Sequence, residues 1–266
     1  MANPFLINGT TVPFSIYQVY SAATIDGLYG NLPLGTQARM EDGRVFRWAS
    51  NRGAALAIGT LCTKAAETAN HVSVDWASGG ALGSRTVTVT LGATAATLDQ
   101  YAGGFLFAID GAGSGQYRRI KSHPAAASAA TLEITVYDPF TISFAASDEL
   151  SLIQNEYRAI ITTPGDADVW ISGVPQVGVP VGSTTEQFFW AQTWGIGMVL
   201  GDGSTFAAGS QVQPAVAGAA DAGQVTLTAE GGTGTGAYDQ VIGTIFHLGD
   251  AASDLDYRVV DFRIRA

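Results

Sequence analysis

Charged side chains are scarce in this sequence. Asp, Glu, Lys and Arg together make up 14% of its 266 residues, where an ordinary domain carries about a quarter. Positive charge is scarcer still: Lys64 and Lys121 are the only lysines, and the formal net charge is -10. Phosphate backbones are held by Lys and Arg that displace counterions, which excludes nucleic acid as the main partner. The same balance argues against an anionic membrane surface. Cysteine is reduced to Cys62, so neither an internal disulfide nor a thiolate metal cluster is possible. Within GTLCTKA that cysteine reads as a small buried apolar residue. No run approaches the ~18 apolar residues of a spanning helix. The opening MANPFLINGTTVPF has no basic region followed by an apolar run, so no secretion signal is expected.

Helical periodicity is also missing. No segment sustains an apolar stripe over three turns, and LCTKAAETAN (61–70) suits at most about two or three turns. Alternation takes its place. RTVTVTL (85–91), TLEITVYD (131–138), TISF (141–144), YRAIITT (157–163), QVTLTAE (224–230) and YRVVDFRIR (257–265) alternate and are rich in Val, Ile, Thr and aromatics, as strands are. Asp-Gly, Asp-Pro and Pro-Gly pairs separate them. TQARMEDGRVFRWAS (36–50) reads as a hairpin turning at Asp42-Gly43. The expected class is all-β, an antiparallel sandwich or barrel with short helices at most and an extended N-terminal arm. Three segments are distinguished: an arm and hairpin over 1–70, a strand-dense block over 71–156, and a C-terminal β block over 157–266. One continuous domain is the alternative to this division.

DGAGSGQYRRI (110–120) has the look of a phosphate-cradling glycine loop. A dinucleotide fingerprint needs G-x-G-x-x-G opening a helix. Here Gln116 stands at the third glycine, and QYRRIKSH before Pro124 is a strand sequence. A hairpin explains the stretch better: GGFLFAID runs out, Gly111 to Gly115 turn, and QYRRIKSH returns. Arg119 and Lys121 then share a strand face with Tyr117 and are candidates for pairing with carboxylates of this chain or of a neighbour.

Catalytic patterns are weak. His71, His123 and His247 show no metal-ligand spacing, and no G-x-S-x-G elbow is present. Asp166 with Asp168, and Asp254 with Asp256, form D-x-D pairs. Such pairs read as solvated turns, as metal ligands, or as glycosidase carboxylates. In EQFFWAQTWGIGMVL (186–200), alternation puts Phe188, Trp190 and Trp194 on one face and Phe189 on the other. Buried aromatics build β cores, and aromatics are enriched at subunit contacts; both readings stand. Phe5, Phe14, Tyr17 and Tyr20 of the arm are further contact candidates.

Three stretches, taken in order, resemble virion structural proteins encoded beside the capsid genes of tailed bacteriophages. LPLGTQARMEDGRVFRWASNRGAALAIGTLC (32–62) is similar to their LGT, DGRVFRYA and ALAPGKL-like opening. AGGFLFAIDGAGSGQYRRIKSH with LEITVYDPF is similar to their series of strand, glycine turn, strand and Asp-Pro turn. QFFWAQTWGIGMVL followed by IGT and VDFRI is similar to their closing segments. Trp48 replaces the usual Tyr, and Gly59-Thr60 departs from the Pro/Gly-Lys step. The resemblance implies a capsid decoration or cement protein on the virion exterior. Its implied partners are the major capsid protein and copies of itself, with a trimer expected. It carries over no catalytic residue, cofactor or metal. A tail or head-tail component is the alternative, and a carbohydrate-active β protein a more distant one.

Overall fold

A computed structural model of the chain describes residues 4–7, 10–13, 32–164, 169–181, 186–215, 222–228, 240–247 and 257–264. The chain is all-β. Among the described residues the one helical element is a single 3-10 turn, Ala69–His71, which overlaps only the end of the 61–70 segment whose composition suits a helix. The first strands are β1 (Pro4–Ile7), β2 (Thr10–Pro13), β3 (Gln37–Arg39), β4 (Val45–Asn51) and β5 (Cys62–Thr63). Then come β6 (Val74–Gly79), β7 (Thr86–Thr90), β8 (Phe105–Ala108), β9 (Tyr117–Ser122), β10 (Thr131–Val136) and β11 (Glu149–Ile153). The last are β12 (Ile161–Thr162), β13 (Ile171–Pro175), β14 (Gln187–Leu200), β15 (Gln211–Pro214), β16 (Val225–Leu227), β17 (Gly243–His247) and β18 (Tyr257–Arg263).

Two compact units emerge. Ala65–Asn155 forms one, and Met1–Lys64 together with Glu156–Ala266 forms the other. Both outer segments of the chain contribute to the second unit.

The middle unit is a closed antiparallel barrel in the order β10-β7-β6-β11-β8-β9. Alternation explains its core directly, since every second side chain of a strand points inward. Val87 and Val89 of β7, Leu132, Ile134 and Val136 of β10, and Leu150 and Leu152 of β11 are buried, while their neighbours are exposed or half-buried, except Ser151, which is covered on the outer side. Tyr101, Phe140 and Phe144, from the connections, complete the core. TISF (141–144) is not a strand. Its backbone partner is a side chain: Gln116 Oε1 accepts from the N–H of Thr141 (2.8 Å) and Ile142 (3.2 Å), and Gln116 Nε2 donates to Ile142 O (3.0 Å).

The outer unit is built on a twelve-stranded sheet whose main path is β16-β15-β17-β18-β14-β4-β3-β1-β2. The expected hairpin at Asp42-Gly43 is present: Gln37, Ala38 and Arg39 pair with Arg47, Phe46 and Val45. β1 and β2 pair antiparallel, from Pro4 opposite Pro13 to Ile7 opposite Thr10, and β1 joins β3 through Leu6 opposite Arg39 and Ile7 opposite Ala38. β14 is the pivot. Its first half pairs with β4 and its second half with β18. A register shift between Gln192 and Trp194, with Gly195 at a φ of 80°, marks the changeover. Gln192, fully buried, holds the kink by donating from Nε2 to the carbonyls of Trp194 (3.2 Å), Gly195 (3.2 Å) and Ile196 (3.0 Å).

Cys62 lies in the core of this unit beside Tyr157, Ile160 and Phe189. Burial pushes its thiol up to about 12, the hydrogen bond with Thr60 pulling the other way. The folded value lies above the ordinary 9.0. The stability that burial confers is therefore full below that value and lost as pH rises toward about 12. Reaction of a thiol reagent with the native protein at about pH 8 is expected to be negligible, because the thiolate is the nucleophile. Stoichiometric labelling should follow unfolding in denaturant. Rapid native labelling, followed by mass spectrometry, would show that Cys62 is accessible.

Candidate interaction surface

The glycine stretch builds the most distinctive local structure of the barrel. Phe105, Leu106 and Phe107 pair with Arg119, Arg118 and Tyr117, so β8 and β9 form the expected hairpin. Gly111 and Gly115 adopt φ values of 81° and 84°, a region that glycine enters without steric cost. Asp148, 1% exposed, pins the turn from beneath by accepting the N–H of Gly113 (3.0 Å) and of Ala145 (3.1 Å). The turn's backbone is thus directed at a carboxylate of its own chain, and no phosphate cradle is formed.

Strand alternation then sorts the side chains of the hairpin. Leu106, Ala108 and Ile120 face the barrel core. Phe105, Phe107, Tyr117, Arg119 and Lys121 face outward, with Phe107 half-buried and the others exposed. Tyr117 is 61% exposed, and Phe107 stacks on it with ring centroids 6.1 Å apart and planes 26° apart. Phe105 lies 6.3 Å from the same ring. The Arg119 guanidinium sits 5.5 Å above the ring of Tyr137, which is 49% exposed just past β10. Neither Arg119 nor Lys121 makes an ion pair among the described residues. Arg118, just before Arg119 and on the other face of β9, is tied to the Pro139 carbonyl (2.8 Å) and to Thr141 Oγ1 (3.2 Å). The result is a contiguous aromatic face bearing two unpaired cations. Scattered exposed apolar residues are ordinary; a clustered aromatic patch with Arg has the composition of a protein-contact centre.

The other candidates are distributed differently. Trp190, 1% exposed, packs at 4.9 Å against Trp48, and half-buried Phe188 stacks on Trp48 at 5.8 Å. Phe189 faces the opposite cluster, as alternation requires. Trp194 does not continue the Phe188 face. The register shift sets it opposite Val45, out of phase with Phe46 and Trp48, and Arg263 sits 5.9 Å from its ring. Phe5 lies in β1 opposite Val12. Phe14, Tyr17, Tyr20, Asp166, Asp168, Asp254 and Asp256 lie outside the described residues. Phe105, Phe107 and Tyr137 are the contributors that sequence reading passed over. FLFA carried the signal, because its period of two puts both phenylalanines on the face opposite Leu106 and Ala108.

The barrel also brings two histidines together. His71 and His123 flank Tyr101, each with ring centroids 5.6 Å from it. His71 Nε2 donates to the Thr94 carbonyl (2.9 Å), which leaves Nδ1 to accept from the Tyr101 hydroxyl. His123 Nε2 accepts the N–H of Tyr101 (2.9 Å), so Nδ1 donates to the Pro124 carbonyl (2.8 Å). Burial raises the Tyr101 hydroxyl above its ordinary value, with a hydrogen bond from Thr68 opposing. It therefore remains a phenol able to donate. Both imidazoles have all their nitrogens engaged in holding the barrel. Among the described residues no three His, Cys, Asp or Glu side chains group as metal ligands.

No family model matches the chain, and neither a curated protein nor a solved structure matches it.

Proposed function

We propose that this chain is a structural, non-enzymatic virion protein of a tailed bacteriophage. It binds the outer surface of the capsid, where it decorates or cements the junctions between capsomers as a homo-oligomer, a trimer at threefold positions. Its partners are the major capsid protein and other copies of itself. The observation that supports this reading most is the exposed face of Phe105, Phe107, Tyr117 and Tyr137 with the unpaired Arg119 and Lys121. Aromatic and Arg side chains are the usual anchors of protein contacts. The hairpin that carries them is braced by buried hydrogen bonds, so little ordering entropy is lost on docking. The in-order resemblance of three stretches to capsid-associated proteins supplies the location. A cement protein acts by mass action: it binds the assembled shell and not its separated parts, and so stabilises the shell.

The test uses purified phage particles that lack the protein. Added protein is expected to co-sediment with them to saturation and to raise the temperature at which they release DNA. Phe105→Ser/Tyr117→Ser is expected to lose co-sedimentation while keeping the far-ultraviolet spectrum of the parent. Absence of binding to intact shells would overturn the proposal.

A further inference from the structure

A second feature lies elsewhere on the barrel wall. β6 and β11 pair so that Asp75 stands directly opposite Glu149. Leu150 and Leu152 face the core, which turns half-buried Glu149 to the opposite face, where Ser151 is itself buried, its Oγ accepting the N–H of Ser73 (3.0 Å). Carboxylates directly opposite each other across an antiparallel pair repel and destabilise the sheet. No cation among the described residues pairs with either one. The barrel thus carries two uncompensated acids on one wall and two uncompensated bases, Arg119 and Lys121, on another.

The cations are also concentrated. Arg85, Arg118, Arg119 and Lys121 are the Lys and Arg residues of 65–155, and the last three fall in β9. A chain of net charge -10 repels its own copies except where such cations meet carboxylates. We infer that the aromatic–basic face of one barrel docks on the Asp75–Glu149 wall of a second copy of this chain. The match is two cations to two carboxylates, with Phe105, Phe107 and Tyr117 excluding water beside them. In the barrel order, β9 is followed by β8, β11 and β6. The two walls therefore look in different directions. The contact is head-to-tail, using different surfaces on the two copies, and such contacts build rings when their rotation closes. This inference stands on the barrel wall alone and does not rest on the virion reading.

A contact centred on Phe105, Phe107, Tyr117, Arg119 and Lys121 involves far fewer side chains than the roughly 20–30 residues a side of a standard interface, so affinity in the micromolar range is expected. Sedimentation velocity on the full chain tests it. Wild type at about 100 μM is expected to associate at ~50 mM salt and to dissociate at ~500 mM, where screening is several-fold shorter in range. Arg119→Glu/Lys121→Glu should remain monomeric, and so should Asp75→Lys/Glu149→Lys. Mixing the two variants should restore association, since each then offers the charge the other lacks, and restoration also shows that both are folded. The inference fails if wild type is monomeric throughout. It fails equally if either reversal leaves association intact, or if two variants with parental far-ultraviolet spectra do not associate when mixed. Capsid binding is measured separately, so failure here and failure of the virion reading are distinguishable.

Discussion

Gly111→Ala is expected to destabilise the barrel by about 4 kcal/mol, combining the left-handed backbone strain of a non-glycine residue with overpacking. The backbone there has a φ of 81°. A Cβ would lie 1.7 Å from Asp148 Oδ1 and 2.7 Å from Asp148 Cα. Asp148 cannot yield, because its other oxygen binds the N–H groups of Gly113 and Ala145. Gly115 of the same turn is the control. Its φ is 84°, yet nothing lies within 4 Å of an added Cβ. Gly115→Ala should therefore cost only about 1 kcal/mol, the backbone strain alone. Hydrogen exchange of the amides of β7 and β10 in the full chain reports the barrel without interference from the other unit. Equal losses of protection in the two variants would show that Asp148 does not fill the space beneath Gly111.

The second large effect is expected at Gln116. Its side chain, 6% exposed, serves as the missing strand partner for 141–142. Gln116→Ala removes the partner of the N–H groups of Thr141 and Ile142 and of the Ile142 carbonyl. Thr141 and Ile142 are themselves exposed, so water replaces much of what the amide supplied, and the loss of these bonds with the buried Gln116 side chain is expected to cost about 2 kcal/mol in total. The loss should appear first as faster exchange over 139–144. Gln116→Glu keeps the acceptor but turns an oxygen toward the Ile142 carbonyl, so it should fall between Ala and the parent. Unchanged exchange in Gln116→Ala would mean that 141–142 is held by something other than this amide.

These two residues also show what could be read in advance. The β8–β9 hairpin was legible because its evidence is local: alternation on both sides and glycines between. The same glycines, with Gln116 among them, excluded a phosphate loop. What Gln116 does instead was not legible, since its partners lie 25 and 26 residues away and a side chain replaces a strand. TISF alternates like a strand in sequence, yet the Gln116 side chain, and no neighbouring strand, bonds the backbone of 141–142. Trp194 was misplaced because a register shift and a positive φ at Gly195 interrupt the period that carries Phe188 and Trp190. The union of the chain's two outer segments rests on β14 pairing with β4 across the intervening barrel sequence. No local pattern announces such a pairing.

For the interaction face, Arg119, Lys121 and Tyr117 were found by period two alone. Tyr137 joins them only because β10 follows β9 around the barrel and brings its ring beneath Arg119. The Asp75–Glu149 wall is similarly a product of strand order, since these residues are far apart in sequence and adjacent in the sheet.

The central proposal, attachment to the outside of a phage shell, is tested most directly by electron cryo-microscopy of the particles used for co-sedimentation, with and without added protein. Difference density is expected on the capsid exterior at the junctions between capsomers, with the β8–β9 hairpin in a protein contact. Density confined to the tail, or arranged as a ring of six or twelve at a portal vertex, would contradict it.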